Sequence, residues 1–531
     1  MIRKNNCATV ILTAVCGLFA FVPTVDAAGW SVIGEDPKFP TDDVIVAFCS
    51  VTDPQYKLPA DPAAVDCTPA IQRALDDASA AGGGTVFIPE SRYRLEGMLT
   101  IESNVVLRGR WSLIGPDRPA EGTILMIHNQ EHEQSVLLTG SGCGVRDLTF
   151  WQPEQQVTES AESASKSPLV IRGQAGTVTI ENITLINPYR GIDLSQASAC
   201  CLRGIYGSPL HCGLSADRSF AVSRYDSIHF SPDYWNWSKL PDSPPKGGAH
   251  ADYMRKHGTG LHIYEMDGFY AGFSTISGYQ KGLHFERGVS GDDASGELSY
   301  FSVTDCSTAL HVDDAKGFRI VASTLEGSDY GIWGKDNTHY KMHTTRIEGG
   351  ERSISIRDGV AELVNCTLTG ETEILGRRTV FRNHQYDEKL PAFQNTYDRI
   401  RKPAKVDLFN IKDYGAVGDG TADDTQGLKK AISAASANGG GIVFVPNGKY
   451  RITEELDLGK GVELRGNSGG RHMISGKRSS QLGSVFFIET GEGDENGTPF
   501  LTMGDGSGLR GIGFHYPKQD YKSFKKYPYM V

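Results

Sequence analysis

A four-residue phrase recurs along the middle of the chain. A small residue comes first, an apolar residue second and, in most copies, another apolar residue fourth. Successive copies start 22, 47, 22, 27, 22 and 22 residues apart, so one repeat takes 22 residues and two repeats carry inserts of 25 and 5. This period predicts an all-β fold, a parallel β-helix whose coils bury their strands against neighbouring coils. The copies are residues 191–194, 213–216, 260–263, 282–285, 309–312, 331–334 and 353–356.

The third and fifth positions of the phrase are predicted to face outward. Side chains alternate along a strand, so the second and fourth positions face the core together. Stacking of coils at about 4.8 Å turns the outward positions into two surface columns. The third-position column is Asp193, Ser215, His262, His284, His311, Trp333 and Ser355. The fifth-position column is Ser195, Asp217, Tyr264, Glu286, Asp313, Lys335 and Arg357.

Three successive coils present histidine beside carboxylates. Adjacent imidazoles hold neutral and charged forms near neutral pH, and a carboxylate two residues along orients or charges one of them. Glu286 and Asp313 occupy one column on neighbouring coils with Cα atoms about 5 Å apart, and we expect such a pair to share a proton or bind a cation. A carboxylate pair also suits the acid and base of glycoside hydrolysis. The predicted catalytic residues are Glu286, Asp313, His284 and His311.

Sugar-binding grooves need aromatic faces beside carboxylates, and the columns and the larger insert contain both. The larger insert, residues 231–256, directly precedes the His262 strand and is predicted to form one wall beside the columns. The smaller insert, near residues 288–297, is predicted to form the other wall. A histidine ladder that serves only packing, and a dimer contact by the larger insert, are the structural alternatives. The predicted substrate-binding residues are Asp193, Asp217, His262, Tyr264, Trp333, Lys335, Trp235 and Trp237.

A second kind of repeat is a whole segment, because residues 68–109 align with residues 425–466 at a constant offset of 357 without a gap. Each copy predicts an amphipathic helix with Thr68 or Thr425 as its N-cap, ended by glycines and followed by a short buried strand. A helix that leads into strands indicates the lid of a solenoid, which covers an otherwise open hydrophobic end.

The second copy follows an Asp-rich stretch, residues 413–425, with the sequence DYGAVGDGTADDT, and continues into GGG and VPNGKY. This run resembles the opening of the pectate-lyase-like right-handed β-helix superfamily, which includes rhamnogalacturonase, epimerase-like and glycoside hydrolase family 28-related proteins. Two lids on one chain are similar to the tandem β-helices of the glycoside hydrolase family 55 exo-β-1,3-glucanases. The resemblance implies a protein that acts on polysaccharides. We interpret the Asp-rich stretch itself as a turn and helix cap. The full set of NTD, DD, GHG and RIK signatures of polygalacturonases is not found, nor is the DPHD pattern of mannuronan epimerases.

These features predict the organisation of the chain. Residues 1–27 have a basic start, an apolar stretch and a small-x-small site typical of an export signal, so the mature protein is expected to be secreted or periplasmic. The first β-helix is predicted over residues 28–395, a linker over 396–406 and the start of a second β-helix over 407–531. About 125 residues are too few for a second complete solenoid, so we expect a truncated module or one that another chain completes.

Composition narrows the class of partner. The 62 glycines exceed the average share of about 7% and indicate a chain that turns often. The net charge of -11 argues against an electrostatic nucleic-acid binder, and no later apolar run reaches the length of a membrane span. Eight cysteines follow the export signal without a CxxC pair, so they are expected to be small buried residues, with disulfide pairing and oligomeric state left open.

Three functions remain as hypotheses. The first is an exported glycoside hydrolase that acts on a polysaccharide in a groove on the β-helix, with no required cofactor and no metal. The second is a polysaccharide lyase or uronate C5-epimerase, in which histidine or tyrosine abstracts the C5 proton while lysine, arginine or Ca²⁺ neutralises the uronate. The third is a non-catalytic glycan-binding β-helix comparable to a tailspike or adhesin.

Overall fold

The computed structural model describes residues 44–174, 176–219, 222–335, 338–376, 380–386, 405–467, 483–520 and 522–531, together with the short strands Thr24–Val25 and Ser31–Ile33. The predicted export signal, residues 1–27, lies outside the described residues except for Thr24–Val25. Most of the predicted linker, residues 396–406, also lies outside them.

In its described residues, the first part of the chain has short strands and three α-helices. The helices are α1 (Thr68–Ala80), α2 (Asp233–Ser238) and α3 (Ala249–His257), and a 3-10 turn covers Pro54–Tyr56. In chain order the strands are β1 (Thr24–Val25), β2 (Ser31–Ile33), β3 (Ile45–Ala47), β4 (Cys49–Ser50), β5 (Gly84–Phe87), β6 (Ser91–Leu95), β7 (Leu99–Ile101), β8 (Val105–Arg108), β9 (Thr123–Ile127), β10 (Gln134–Leu138), β11 (Cys143–Trp151), β12 (Leu169–Gly173), β13 (Val178–Ile186), β14 (Arg190–Asp193), β15 (Cys201–Gly207), β16 (Cys212–Ala216), β17 (Ser223–Phe230), β18 (Thr259–Ile263), β19 (Asp267–Gly272), β20 (Thr275–Ser277), β21 (Lys281–Phe285), β22 (Ser295–Ser299), β23 (Ser302–Val312), β24 (Gly317–Val321), β25 (Thr324–Gly334), β26 (Thr338–His343), β27 (Arg346–Ile356), β28 (Gly359–Val364), β29 (Thr367–Ile374) and β30 (Val380–His384).

β1, β2 and β3 form a separate antiparallel sheet. Parallel pairing between successive coils divides the strands from β4 to β30 into three faces, so the predicted parallel β-helix is confirmed. Face A carries the recurring phrase and contains β7, β10, β12, β14, β16, β18, β21 and the second halves of β23, β25, β27 and β29. Face B contains β4, β5, β8, the first halves of β11, β13, β15 and β17, and β19, β22, β24, β26, β28 and β30. Face C contains β6, β9, the second halves of β11, β13, β15 and β17, β20, and the first halves of β23, β25, β27 and β29.

Inward side chains of all three faces form one continuous core along the solenoid. The small first residue of the phrase lies at the corner where face A begins, and neighbouring coils leave it little space. A Cβ added at Gly260 would lie 2.4 Å from Ile276 Cγ2 and 2.6 Å from the carbonyl oxygen of Gly282. The phrase therefore starts with a small residue, and at Gly260 even a methyl group would displace a neighbouring coil.

The second part of the chain has its own core and repeats the lid. Its helix α4 (Thr425–Ala437) follows a 3-10 turn, Ile411–Tyr414. Its strands are β31 (Leu408–Asn410), β32 (Asp419–Asp423), β33 (Gly441–Val445), β34 (Gly448–Ile452), β35 (Leu456–Asp457), β36 (Val462–Gly466), β37 (Ser484–Ile488), β38 (Leu501–Thr502), β39 (Gly508–Arg510) and β40 (Ile512–His515), all paired in parallel.

The two parts contact one another through the residues around β3 and the first lid. Val44 and Val46 pack with Ile442 and Phe444 in a separate apolar cluster. The side-chain amide of Asn447 donates a hydrogen bond to the carbonyl of Gly82 at 2.8 Å. The first lid is therefore covered by the second part of the chain.

Both lids contain the predicted helices but not the predicted caps. α1 and α4 begin at the threonines themselves, and the preceding Cys67 and Asp424 make no side-chain cap hydrogen bond. The Thr68 hydroxyl donates to Asp66 at 2.6 Å and accepts from the Gly97 amide at 3.0 Å. The prediction of threonine N-caps is therefore wrong, because the hydroxyl joins the first helical turn to a neighbouring strand turn.

The Asp-rich stretch is held by its own carboxylates. Asp424 accepts hydrogen bonds from the amides of Val417 and Gly418 at 2.5 and 3.2 Å. Asp423 accepts from the Thr425 amide at 3.0 Å. These bonds satisfy the backbone of the turn that leads into α4, which supports a structural role.

Two further properties bear on the sequence analysis. All eight cysteines among the described residues are free, and burial raises the pKa of thiols such as Cys143 and Cys200 to about 12. Six of them are buried core residues, as expected, whereas Cys201 and Cys212 are half-buried. Among the helices in the described ranges, none combines the length and the apolar character that crossing a membrane requires.

Candidate functional site

The third positions of the phrase lie in register across face A. Ser215 pairs with His262, His262 with His284, His284 with His311, and His311 with Trp333. This is the order expected from the 22-residue spacing. We call the face-A site the set His262, Tyr264, Lys281, His284, Glu286, His311, Asp313 and Trp333.

The rings of this column stack along the solenoid except at one step. His262 and His284 lie 4.2 Å apart between ring centroids at 20°, and His311 and Trp333 lie 4.3 Å apart at 16°. Between them, His284 and His311 meet at 84° with centroids 4.8 Å apart. The column is therefore two stacked pairs joined at a right angle.

Tyr264, His262 and Glu286 form a hydrogen-bonded chain at one end of the site. His262 Nε2 lies 3.1 Å from Glu286 Oε2, and Tyr264 Oη lies 3.2 Å from His262 Nδ1. A carboxylate only accepts, so His262 donates through Nε2 and accepts the tyrosine hydroxyl at Nδ1. The Tyr264 ring also stacks on this imidazole, with centroids 4.2 Å apart.

Asp313 connects the other two histidines. Its Oδ2 lies 2.8 Å from Nε2 of His284 and 3.3 Å from Nε2 of His311. Lys281 extends over the same region, with Nζ 3.5 Å from His284 Nε2. The predicted sharing of a proton between Glu286 and Asp313 is corrected, because each carboxylate is hydrogen-bonded to an imidazole of the preceding coil instead.

Burial keeps the imidazoles neutral near pH 7. It lowers the pKa of His284 to about 3 and that of His311 to about 4, and it lowers the pKa of His262 as well. Burial also lowers the pKa of Lys281 and raises that of the Tyr264 hydroxyl to about 12. The site therefore offers neutral rings, each with one nitrogen lone pair.

The charge state of Asp313 bears on glycoside hydrolysis. Burial acts to raise the pKa of this carboxyl, but the hydrogen bond from His284 and the nearby charge of Lys281 lower it overall. A general acid of glycoside hydrolysis needs the opposite, a raised pKa. Asp313 is thus better suited to orient its histidines than to donate a proton.

The predicted acidic binding residues Asp193 and Asp217 have partners within the protein. Asp193 forms an ion pair with Arg172 at 3.2 Å and accepts from the Ser195 hydroxyl. Asp217 is buried and accepts from the amide of Arg218 at 3.0 Å. Both lie at the edge of face A, where they stabilise the corner leading to face B.

Trp333 lies at one end of the site and Lys335 lies beside it, as their positions in the columns predict. Trp333 is half-buried, and the guanidinium carbon of Arg357 lies 5.7 Å from its ring centroid. Lys335 is exposed on the same strand end. The arginine and the lysine add positive charge next to the aromatic ring.

The larger insert does not form the predicted wall in full. Its second half, α3, lies where face A begins, and Arg255 pairs with Asp305 there at 2.6 Å. Its first half, α2, instead covers the outside of face C, where Trp235 is 4% exposed and packs 6.4 Å from Trp151. The outward residues Ile124, Met126, Trp151 and Ile186 form an apolar patch that α2 buries.

The assignment of Trp235 and Trp237 to substrate binding is therefore corrected. Trp235 belongs to the apolar cluster on face C, and Trp237 packs against it from the side, edge-on to Tyr234. We expect Trp235→Phe to cost about 1 kcal/mol of unfolding free energy, because it removes part of a buried ring, and to leave polysaccharide turnover unchanged. Urea unfolding and steady-state kinetics test this, and a raised KM in a folded variant would contradict it.

The smaller insert does border the site. Ser290 donates to Glu265, and Arg287 forms ion pairs with Asp293 and Asp314. These contacts hold the loop after Glu286 against the corner next to the fifth-position column.

Lys281 is the residue of the site that the sequence analysis missed. It lies one position before the phrase, where Thr259, Lys281 and Thr308 pair across face A. Its side chain nevertheless reaches the outer side of face A, where Nζ lies near His284 Nε2. Strict alternation assigns this position to the core side, so the outward columns did not include it.

Within the described ranges, two groups of three residues bring potential metal donors within 4.8 Å of one another. One is His262, His284 and Glu286, and the other is His284, His311 and Asp313. Ca²⁺ takes six to eight oxygen ligands, whereas imidazole suits Zn²⁺, Fe²⁺ and Ni²⁺. These nitrogen-rich groups do not fit the Ca²⁺ considered for a lyase.

Comparison with known proteins gives a family match over part of the chain. Residues 408–500 match the family described as rhamnogalacturonase A/epimerase, pectate lyase-like. A segment is 35% identical over 106 residues to mannuronan C5-epimerase AlgE1 of Azotobacter vinelandii, covering 18% of this chain and 7% of that protein. Another match, to alginate lyase 7 of the same organism, is 51% identical over 45 residues and covers 8% of this chain and 5% of that one. The chain thus spans less than a tenth of either relative.

Among solved structures, the A-module of mannuronan C-5 epimerase AlgE4 of A. vinelandii aligns with 64% of this chain and 97% of its own, at 13% identity and a TM-score of 0.33. The family match over residues 408–500 and the parallel coils described above support the predicted resemblance to the pectate-lyase-like parallel β-helix superfamily.

Proposed function

We propose that this protein is an enzyme that acts on a uronate-containing polysaccharide by abstracting the proton at C5, as a lyase or a C5-epimerase. The observation that carries the proposal is the chain from Tyr264 through His262 to Glu286, with hydrogen bonds of 3.2 and 3.1 Å. Both reactions begin with the same proton abstraction next to a carboxyl group. They differ in whether the C4 oxygen then leaves or C5 takes a proton from a donor on the opposite face of the ring.

The hydrogen bonds define a direction for the proton. As Tyr264 Oη takes the C5 proton, it gives its own proton to Nδ1 of His262. The imidazolium that forms is stabilised by Glu286, which is 44% exposed and faces solvent. A hydroxyl that is half-buried and bonded to a neutral ring therefore acts as a base without having to ionise beforehand.

Positive charge near this hydrogen-bonded chain suits an acidic polysaccharide. Lys281 lies within the site, while Lys335 and Arg357 flank Trp333 on the following coils. A cation beside the uronate carboxylate stabilises the negative charge that develops when the C5 proton is removed. The protein as a whole carries a net charge of -11, so these cations are a local feature.

The short matches agree with this reaction class. The relatives named above are called mannuronan C5-epimerase and alginate lyase, and both names describe uronate chemistry. Those matches cover small parts of both proteins, so the geometry of the face-A site supports the proposal more than they do.

The experiment uses the full chain with mannuronan and with polygalacturonate in deuterated water. We expect either deuterium at C5 of the polymer or ultraviolet-absorbing unsaturated chain ends. The same polymers with reduced carboxyl groups serve as controls and should give neither product. New reducing ends without unsaturation or deuterium would instead identify a glycoside hydrolase, and binding without any product would identify a glycan-binding protein.

A further inference from the structure

The right angle in the histidine column brings two imidazole nitrogens toward one carboxylate. We propose that His284, His311 and Asp313 bind one divalent transition-metal ion such as Zn²⁺. Their donor atoms all lie within 4.8 Å of one another, and both nitrogens are close to the same Asp313 oxygen, at 2.8 and 3.3 Å.

These spacings are close to those of a metal centre. Zinc binds nitrogen and oxygen at about 2.0–2.2 Å, so ligand atoms around it lie about 3 to 3.5 Å apart. The two distances to Asp313 meet this range within a few tenths of an ångström. Closing the site requires the two nitrogens to approach one another and the ring proton of His284 to move from Nε2 to Nδ1.

The orientation of the rings separates this group from simple packing. Residues stacked only for packing repeat with parallel rings, as His262 with His284 and His311 with Trp333 do. The stacking is broken only where two rings share a carboxylate. Rings at 84° can direct their in-plane lone pairs to one point, whereas the parallel lone pairs of His262 and His284 cannot converge.

The donor set selects the class of ion. Two neutral imidazoles and one carboxylate suit Zn²⁺ and its first-row neighbours, and three protein ligands leave coordination positions open. His284 is 6% exposed and fixes the buried side of the site, while the side chain of Asp313 is 30% exposed. The open positions therefore face the outer surface of face A, where a substrate oxygen can reach the ion.

Lys281 opposes the ion and provides a second test. Its ammonium nitrogen lies 3.5 Å from His284 Nε2, so a bound dication has to displace it. Removing this charge should strengthen binding. We expect Lys281→Met to tighten metal affinity about tenfold, as expected for losing one like charge at close range.

The test is a titration of the chelator-treated full chain with Co²⁺ and with Zn²⁺ in the absence of polysaccharide. Visible absorption and calorimetry monitor binding during the titration. We expect one equivalent to bind. His311→Phe keeps the ring that stacks on Trp333 but removes the donor nitrogen, and it should weaken affinity at least about 100-fold. The matched variant His262→Phe should leave affinity unchanged, and Asp313→Asn provides a second ligand variant with a smaller change of shape.

Three outcomes would overturn the site. In the first, the unmodified chain binds no more metal than His311→Phe does. In the second, both His311→Phe and Asp313→Asn bind the metal fully. In the third, only His262→Phe loses binding, which would place the ion in the group of His262, His284 and Glu286. Thermal unfolding of each variant shows that it is folded. A role for the ion in turnover rests on the proposed function, but this titration contains no substrate, so metal binding and turnover are judged separately.

Discussion

Tyr264→Phe is expected to lower kcat on a uronate polysaccharide by about 10²- to 10⁴-fold, the usual contribution of a general base. The substitution removes the hydroxyl that donates to His262 and leaves the ring that stacks 4.2 Å from that imidazole. The fold should lose little stability, about 1 kcal/mol for one hydrogen bond. Initial rates of product formation and C5 deuterium uptake measure the effect on the same samples.

The matched control is Tyr270→Phe. Tyr270 lies on face B and is 45% exposed, so the same atom is removed on another side of the solenoid. Its kcat should equal that of the unmodified protein. If Tyr264→Phe retained full activity while folded, Tyr264 would not be the base and the proposed proton path would be wrong.

Gly260→Ala is expected to reduce the unfolding free energy by about 3 kcal/mol, the upper part of the usual range for overpacking. The added carbon would lie 2.4 Å from the buried Ile276 side chain and 2.6 Å from the backbone oxygen of Gly282. The oxygen cannot move without shifting the coil that carries His284. Urea unfolding followed by near-ultraviolet circular dichroism measures the shift of the midpoint.

Gly176→Ala makes the same chemical change where space is available. Its added carbon would lie 3.8 Å from Ser141 Oγ, an ordinary contact, and Gly176 is exposed. The urea midpoint of Gly176→Ala should stay close to that of the unmodified protein. Equal midpoints for the two variants would show that the corner before the His262 strand has room for a side chain, which would remove the physical reason for the glycine phrase.

The face-A site shows how far the sequence analysis reached. The 22-residue period was enough to put Ser215, His262, His284, His311 and Trp333 into one column in the observed order. Alternation along a strand was enough to direct Tyr264, Glu286 and Asp313 to the same side. The period did not reveal which carboxylate bonds which ring, because that depends on side-chain rotation between coils.

The inserts and lids show where prediction failed. The aromatic composition of the larger insert was consistent with a sugar-binding wall, but Trp235 packs on face C because an apolar patch there needs cover. Thr68 is a residue type that favours N-caps, but its hydroxyl donates to the neighbouring Asp66 and accepts from the amide of Gly97, which lies 29 residues further along the chain and is brought close only by folding. In both cases tertiary contacts outcompeted a local preference.

The sequence by itself determined the coil period, the outward columns, the lid helices and the set of chemical groups on face A, because strand alternation and repeat spacing are local properties of the chain. Only the tertiary structure decided the right angle between His284 and His311 and the hydrogen bonds that join Tyr264, His262 and Glu286. It also decided the approach of Lys281 to His284 and the position of the larger insert. These features depend on how side chains from different coils fill shared space and satisfy one another's hydrogen bonds. No single repeat contains that information.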